Sequence, residues 1–430
     1  MTDTTALPEL ALLCRVGFEP DLMDELVAWF AAQGMAASVW SEQSAVVRVR
    51  AAGGHPRLPD LVFARDLMRV TAELRDLSVK DRVSPISAAL RSLSPYSALT
   101  VLTPDSETTK PLAPLVGALQ ARLGELIHPS GVAQAQVWML AGTHALVGSS
   151  PPDGAAAFAG GIPRLKFPRE APSRSTLKLE EAFQVLMSAE ERADLLGAGG
   201  GAVDLGAAPG GWTYQLVARR IRVTAIDNGP MAPTLIHSGL VQHLREDGFR
   251  YRPPRPVDWL VCDMVEKPGK VAELMVRWLQ SGWCKAAVFN LKLPMKKRFD
   301  AWNKARAVLQ PLHGMGFSVR ARQLYHDREE LTVAVIPGAR VQLPKLREAA
   351  GSHHSNRANR SQPSPAAPTR PAKGSRKTAA DAAPQKAGQR SGRAASGRKP
   401  APAGARPSTP GAKSPAPGSR KPRGNRARKR

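Results

Sequence analysis

The chain has 430 residues, enough for two or three domains, and carries 61 Lys/Arg against 36 Asp/Glu, a net charge of +25. Its three cysteines, Cys14, Cys262 and Cys284, are widely separated with no C-x-x-C pair, which speaks against a disulfide framework or a zinc site and fits a reducing cytoplasm. No apolar run approaches the roughly 18 residues of a membrane helix, and nothing near Met1 reads as a signal peptide, so the expectation is a soluble cytoplasmic protein with no membrane partner.

Residues 1–60 read as a small α+β, ferredoxin-like unit. Leu10–Cys14 is an apolar strand, and Pro20–Phe30 places Leu22, Leu26, Val27 and Phe30 at helical spacing behind first-turn acids. Ala37–Trp40 and Ala45–Arg50 follow as short strands. Residues 61–150 add a β-like segment at Leu61–Leu77, a helix at Pro85–Leu93 and a strand at Ala98–Leu102. An amphipathic helix over Lys110–Ile127 carries Leu115, Leu119, Leu123 and Ile127, and Gln134–Leu140 with His144–Val147 forms a hairpin. No catalytic cluster occurs here; the composition suits recognition. A Pro/Gly-rich connector over 151–175 brings Arg164, Lys166, Arg169 and Arg174, equally fit for phosphates and for a solvated linker.

Residues 176–340 alternate strand and helix. Val203–Leu205, Val223–Ile226, Trp259–Cys262 and Ala286–Leu293 are apolar runs of the buried parallel type. Helical stretches at Leu177–Leu186, Trp212–Arg220, Gly269–Leu279 and Phe299–Leu309 separate them. Val319–Tyr325 and Leu331–Ile336 are joined too closely for a crossover and must pair antiparallel. A mostly parallel sheet ending in an antiparallel hairpin is the Rossmann-like α/β plan of S-adenosylmethionine-dependent methyltransferases. Residues 341–430 form a basic Pro/Ala/Gly/Ser-rich tail. From Gly351 onward it has twenty Lys/Arg, one acid (Asp381) and no Ile, Leu, Val, Met or aromatic residue, so +19 of the +25 sits there. Such a segment is expected to be disordered, and either to add non-specific RNA affinity through counterion release or simply to solubilise the chain.

The loop from Val203 to Trp212 carries the cofactor signal. Asp204, Gly206, Ala208, Pro209, Gly210, Gly211 and Trp212 form D-x-G-x-x-P-G-G-W between a strand and a helix, not the G-x-G-x-x-G of a dinucleotide site. An acid opening the loop and a proline stiffening it suit a cationic nucleoside, S-adenosylmethionine. Asp227 ends the next strand, where an acid accepts from ribose hydroxyls or serves as a turn residue. Asp247 stands before Gly248, placed for an adenine amino group or for an ordinary turn. Ser175 is a further donor-side candidate; it or Thr176 caps the helix that follows. Asp263 ends the Trp259–Cys262 strand. Lys292 interrupts the apolar Ala286–Leu293 run, where a lysine is expensive to bury and needs partners or a task. Lys178 and Glu330, taken singly, read as surface residues.

Together these positions resemble the FtsJ-like ribose 2′-O-methyltransferases, and within them the RlmM family of bacterial 23S ribosomal RNA methyltransferases. The resemblance is carried by Gly161–Pro168, Ala171–Glu181, Trp212–Leu216, Val261–Pro268, Asn290–Arg298 and Arg322–Glu330. It is weaker at Leu13–Glu19 and Leu61–Arg65, where it implies a THUMP-like RNA-binding region. Ala208 departs from the family, in which cysteine often precedes Pro-Gly-Gly; the backbone does the binding there, so no loss is expected. The resemblance implies methyl transfer from S-adenosylmethionine to the 2′-hydroxyl of a cytidine in the peptidyl-transferase region of 23S RNA, by a monomer acting before ribosome assembly is complete. It implies a Lys178-Asp263-Lys292-Glu330 tetrad with Lys292 as general base, Lys178 and Asp263 orienting the hydroxyl, Glu330 orienting Lys292, and no metal. Glu329 competes with Glu330, which is preferred because it immediately precedes the strand. Lys296, Lys297 and Arg298 follow the site and are expected on substrate phosphates together with Arg164, Lys166 and Arg174. A base needs a neutral amine, against an ordinary pKa of ~10.4; burial and Lys178 lower it, Asp263 and Glu330 raise it. Two other readings stand beside this one: a base-directed RNA methyltransferase, and a cofactor-binding RNA assembly factor without catalysis.

Overall fold

Two mixed sheets of seven strands each organise the protein. The computed structural model describes residues 8–338, except 94, 129, 132, 152 and 153; the basic tail, with its expected disorder and RNA affinity, lies outside the described residues. The first sheet contains β1 (Glu9–Leu13), β2 (Ala37–Gln43), β3 (Val46–Ala51), β4 (Asp66–Leu74), β5 (Tyr96–Leu102), β6 (Ala133–Ala141) and β7 (His144–Ser150), with α1 (Glu19–Ala32), α2 (Val83–Arg91) and α3 (Ala113–Leu123) between them. Its order is β2-β3-β1-β4-β7-β6-β5, antiparallel except for β5 on β6. Strands from both sides of residue 60 share this sheet, because β1 pairs with β3 along one edge and with β4 along the other.

The α3 helix is shorter than its leucine spacing predicts. Tight 3-10 turns occupy Lys110–Leu112 and Gly124–Leu126, and Ile127 is exposed instead of joining the core. Pro111 and Pro114 restrict the first turns, and Gly124 weakens the last.

The second sheet is built from β8 (Gly201–Leu205), β9 (Arg222–Ile226), β10 (Val241–Leu244), β11 (Val257–Cys262), β12 (Cys284–Lys292), β13 (Phe317–Arg322) and β14 (Glu330–Pro337). Helices α4 (Thr176–Leu186), α5 (Ala189–Leu195), α6 (Gly211–Ala218), α7 (Pro233–Ile236), α8 (Pro268–Gln280) and α9 (Arg298–Gly314) accompany it. The order is β10-β9-β8-β11-β12-β14-β13, parallel from β10 to β12, with β14 antiparallel to both of its neighbours. This is the expected sheet, with an added edge strand. Sequence reading misses β10 because Val241-Gln-His-Leu244 is a half-exposed edge without an apolar run. No helix among the described residues is long and apolar enough to cross a membrane.

One hydrophobic cluster joins α1, the segment after β3 and the second sheet: Phe18, Leu22 and Phe63 share it with Leu291, Trp302 and Leu309. The N-terminal region is therefore packed against the β12 and α9 side, next to the end of the sheet where the parallel strands stop.

Candidate active site

The carboxyl ends of β8, β11 and β12 converge, which in an open α/β sheet is where ligands bind. The Gly206–Gly211 loop leaves β8 and enters α6. Gly210 has φ +112°, and a Cβ there would lie 2.2 Å from Leu235 Cδ1. At Gly211 a Cβ would meet the hydroxyls of Ser175 and Ser173 at 2.1 and 2.3 Å. These glycines let the backbone pass close to its surroundings. Ala208 N–H donates to Asp227 Oδ2 (3.0 Å), and Gly229 N–H donates to Oδ1 (2.7 Å), so Asp227 braces the loop and a turn at once. The Pro209 carbonyl accepts from Ala232 N–H (3.0 Å). Asp247 is exposed beyond β10 and accepts from Phe249 N–H at 2.8 Å. Gly210→Ala is expected to introduce strain of about 1–3 kcal/mol, read as a lower melting temperature and weaker binding of the nucleoside cofactor in calorimetry. Wild-type affinity in that variant would contradict the role given to the loop.

Two residues expected to face the cofactor sit behind the loop instead. Asp204 is fully buried and accepts from Thr213 Oγ1 (2.6 Å); burial, reinforced by Asp263, pushes its carboxyl up to about 7 against the pull of Thr213. Trp212 packs in a core cluster with Leu179 and Phe183. Both hold α6 in place, since a strand end and the first turn of a helix are buried on the sheet side. Ser175 lies against the loop at Gly211, but its side chain does not serve as the cap. Its hydroxyl makes no cap bond to α4 and pairs with Ser173 Oγ (2.7 Å), while Thr176 accepts from Gln215.

The four tetrad residues do come together. Register places Lys292 and Glu330 directly opposite each other on β12 and β14. Lys292 Nζ donates to Asp263 and lies 3.4 Å from Glu330 Oε1. Lys178 Nζ, from the first turn of α4, donates to Glu330 and lies 3.7 Å from Asp263 Oδ2. Glu329 is elsewhere, paired with Arg298. Burial raises the Glu330 carboxyl, but Lys178 and Lys292 outweigh it and hold the group down at about 2. For Lys292 burial is the largest influence and lowers it, yet Asp263 and Glu330 together overcome burial and keep the ammonium above its ordinary value. Lys292 and Glu330 thus rest ionised, cation against anion across the strand pair, which is what makes their partial burial tolerable.

Sequence reading missed what supports Asp263. Asn290 is completely buried, donates to Asp263 Oδ1 (2.9 Å) and accepts from Thr332 Oγ1 (2.7 Å). Thr332 also lies 2.9 and 3.1 Å from the Asp327 carboxyl oxygens. A hydroxyl has one proton, already given to Asn290, so the Asp327 carboxyl supplies the other. Burial pushes Asp327 up to about 8, consistent with that protonated form. The only signal in the sequence was one polar residue, Asn290, inside an apolar strand. Another missed pair is Glu181, fully buried, which receives the backbone N–H groups of Tyr325 and His326 and the His326 ring at 2.6–2.8 Å. It fixes the turn that leads into Glu330.

A cleft of about 810 Å³ runs past Lys178 and Glu330, walled by Arg15, Arg174, Tyr325 and Arg328. Arg164, Lys166, Arg174, Lys296 and Lys297 are all exposed. Arg298 corrects the phosphate assignment: it is buried, its guanidinium bonded to Asp21 (2.9 Å) and Glu329 (2.7 Å) and lying 4.1 Å from the Phe18 ring centroid. As the first residue of α9 it turns inward toward α1, so it ties the N-terminal region to the tetrad strand.

Known proteins give the geometry a context. A family model described as FtsJ-like methyltransferase matches residues 171–291. The chain is 43% identical over 348 residues to ribosomal RNA large subunit methyltransferase M of Xylella fastidiosa (strain M12), covering 77% of this chain and 99% of the relative. The protein of that name from Xanthomonas campestris pv. campestris (strain B100) is 43% identical over 344 residues, 76% of this chain and 99% of its own length. Among solved structures, TrmN from Thermus thermophilus aligns with 76% of this chain and 99% of its own at 17% identity and a TM-score of 0.29.

Proposed function

We propose, because this chain belongs to the ribosomal RNA large subunit methyltransferase M family and is an S-adenosylmethionine-dependent ribosomal RNA methyltransferase, that its acceptor is the ribose 2′-hydroxyl of a cytidine in the peptidyl-transferase region of 23S RNA. The observation that carries this reading is the convergence of Lys178, Asp263, Lys292 and Glu330 at the carboxyl edge of the sheet. S-adenosylmethionine, when bound, supplies an electrophilic methyl group. The Gly206–Gly211 loop, with Asp227 and Asp247, would hold it.

A ribose hydroxyl is a weak nucleophile and must lose its proton as its oxygen bonds the methyl carbon, whose bond to the donor's sulfonium sulfur would break to leave a neutral thioether. Lys292 Nζ takes that proton. Lys178 and Asp263 orient the hydroxyl, and Glu330 keeps Lys292 aimed at it. No metal enters the step. Base methylation fits less well: Asp263-Met-Val-Glu266 follows β11 where an amino-nitrogen methylase needs its proline-aromatic turn. Cys262 is buried in β11, and burial pushes its thiol up to about 12, far from a nucleophilic thiolate.

Lys292 rests protonated, above its ordinary value, so the competent neutral fraction grows as the pH rises. The single-turnover rate is therefore expected to increase with pH through the neutral and alkaline range, by about tenfold per unit where chemistry limits. A rate independent of pH from 7 upward would contradict a lysine base. Ribose-methylation mapping of 23S RNA from cells lacking the protein tests the acceptor: one 2′-O-methylcytidine should disappear, and an unchanged pattern would overturn the assignment.

A further inference from the structure

A second cavity, of about 620 Å³, opens beside the tetrad cleft. Its interior is apolar, formed by Leu13, Val101, Leu102, Val116, Phe158 and Ile162, while Arg65, Asp105, Lys110 and Arg164 stand at its polar side. The two spaces are continuous in their lining: Asp105, Lys110 and Tyr325 border both. Tyr325 is the gatepost. Arg65 and Arg164 hold their guanidinium groups 5.6 and 5.8 Å from its ring centroid. Arg65 is buried, bonded through one terminal nitrogen to Gln323 Oε1 (2.8 Å) and the Leu324 carbonyl (3.2 Å). Its Nε–H is buried with no partner among the described residues.

We propose that this cavity receives the base of a nucleotide flanking the methylated one, with that nucleotide's phosphate outside on Arg164. The inference rests on the tetrad cleft being the place of reaction. The volume is that of a small-ligand site. An apolar interior with an aromatic ring and a guanidinium plane at its mouth is how proteins hold a splayed-out RNA base. Charge divides the site. Arg65 lies 3.9 Å from Asp105 and Lys110 pairs with Glu107, whereas Arg164 has no carboxylate partner among the described residues and is the cation offered to a phosphate; Asp105, held by Arg65 through one oxygen, accepts from a base amino group. The pocket would thus fix the register of the RNA on the enzyme, so that a single ribose reaches Lys292.

The test uses the full chain, a 23S RNA transcript and two variants. Ala113→Trp, at an exposed position in the first turn of α3, fills the cavity mouth; Arg164→Ala removes an exposed cation and threatens no core. Each is expected to weaken RNA binding about tenfold and to raise KM more than it lowers kcat, with S-adenosylmethionine affinity unchanged in calorimetry. An abasic substitution at one flanking nucleotide should cost wild type the same affinity and cost Ala113→Trp nothing further. If Ala113→Trp fails to fold, Arg164→Ala and the abasic scan decide. Wild-type RNA affinity in the folded variants, or an abasic scan without a sensitive position, overturns the proposal. Should Lys292→Ala still methylate while these affinity losses appear, the tetrad reading fails and the cavity stands. Silent cavity variants beside an inactive Lys292→Ala would mean the reverse.

Discussion

Lys292→Ala is expected to lower methylation by about 10²–10⁴-fold, the range for loss of a positioned general base, while S-adenosylmethionine binding stays nearly unchanged. The expectation follows from position: Lys292 ends β12 opposite Glu330, with β11 between it and the β8 strand that feeds the Gly206–Gly211 loop. Alanine also removes a cation from between Asp263 and Glu330, so part of any loss could reflect those two carboxylates repelling. Lys292→Arg separates the effects. Arginine keeps the charge and the ion pairs but does not give up its proton near neutral pH, so it is expected to fold like wild type and remain inactive. An active Lys292→Arg would mean that the positive charge, not a proton acceptor, is what the reaction needs.

Arg298→Ala is expected to destabilise the protein by about 3 kcal/mol in denaturant titration, the scale for breaking one side of a buried pair. Asp21, with only 6% of its side chain exposed, would be left as an unpaired buried carboxylate, and Phe18 would lose the guanidinium over its ring. Glu329 is more exposed and recovers hydration, which keeps the cost toward the lower end. Lysine is a poor substitute, since it cannot bridge two carboxylates while lying flat on an aromatic face. RNA affinity should separate this residue from its neighbours: Lys296→Ala and Lys297→Ala weaken RNA binding, and Arg298→Ala does not while the protein remains folded. An Arg298→Ala protein of wild-type stability and reduced RNA affinity would restore it to the phosphate-contacting set.

Much of the second sheet was legible because its strands are short apolar runs, buried on both faces, with helical periodicity between them. The loop was legible because few backbones need glycine, proline and acid in that order. The tetrad was visible only as a set: Lys178 and Glu330 look like surface residues until β12 and β14 pair and α4 lies across their ends. Arg298 was misassigned because a run of three cations says nothing about which faces solvent; the turn into α9 puts two out and one in. Asn290, Thr332 and Asp327 were illegible for a similar reason. Their chemistry is a hydrogen-bond relay across two strands and a turn, and no local pattern encodes it. The cavity beside Tyr325 is assembled from five separate stretches of chain, Tyr325 included, so its residues had no shared signal.

The measurement that bears most directly on the tetrad is nucleoside analysis of protein-free 23S RNA after incubation with the full chain and isotopically labelled S-adenosylmethionine. The label should appear in 2′-O-methylcytidine with wild-type protein and be absent with Lys292→Ala. Label in a base-methylated nucleoside, or undiminished label with the alanine variant, would contradict ribose methylation by these four residues.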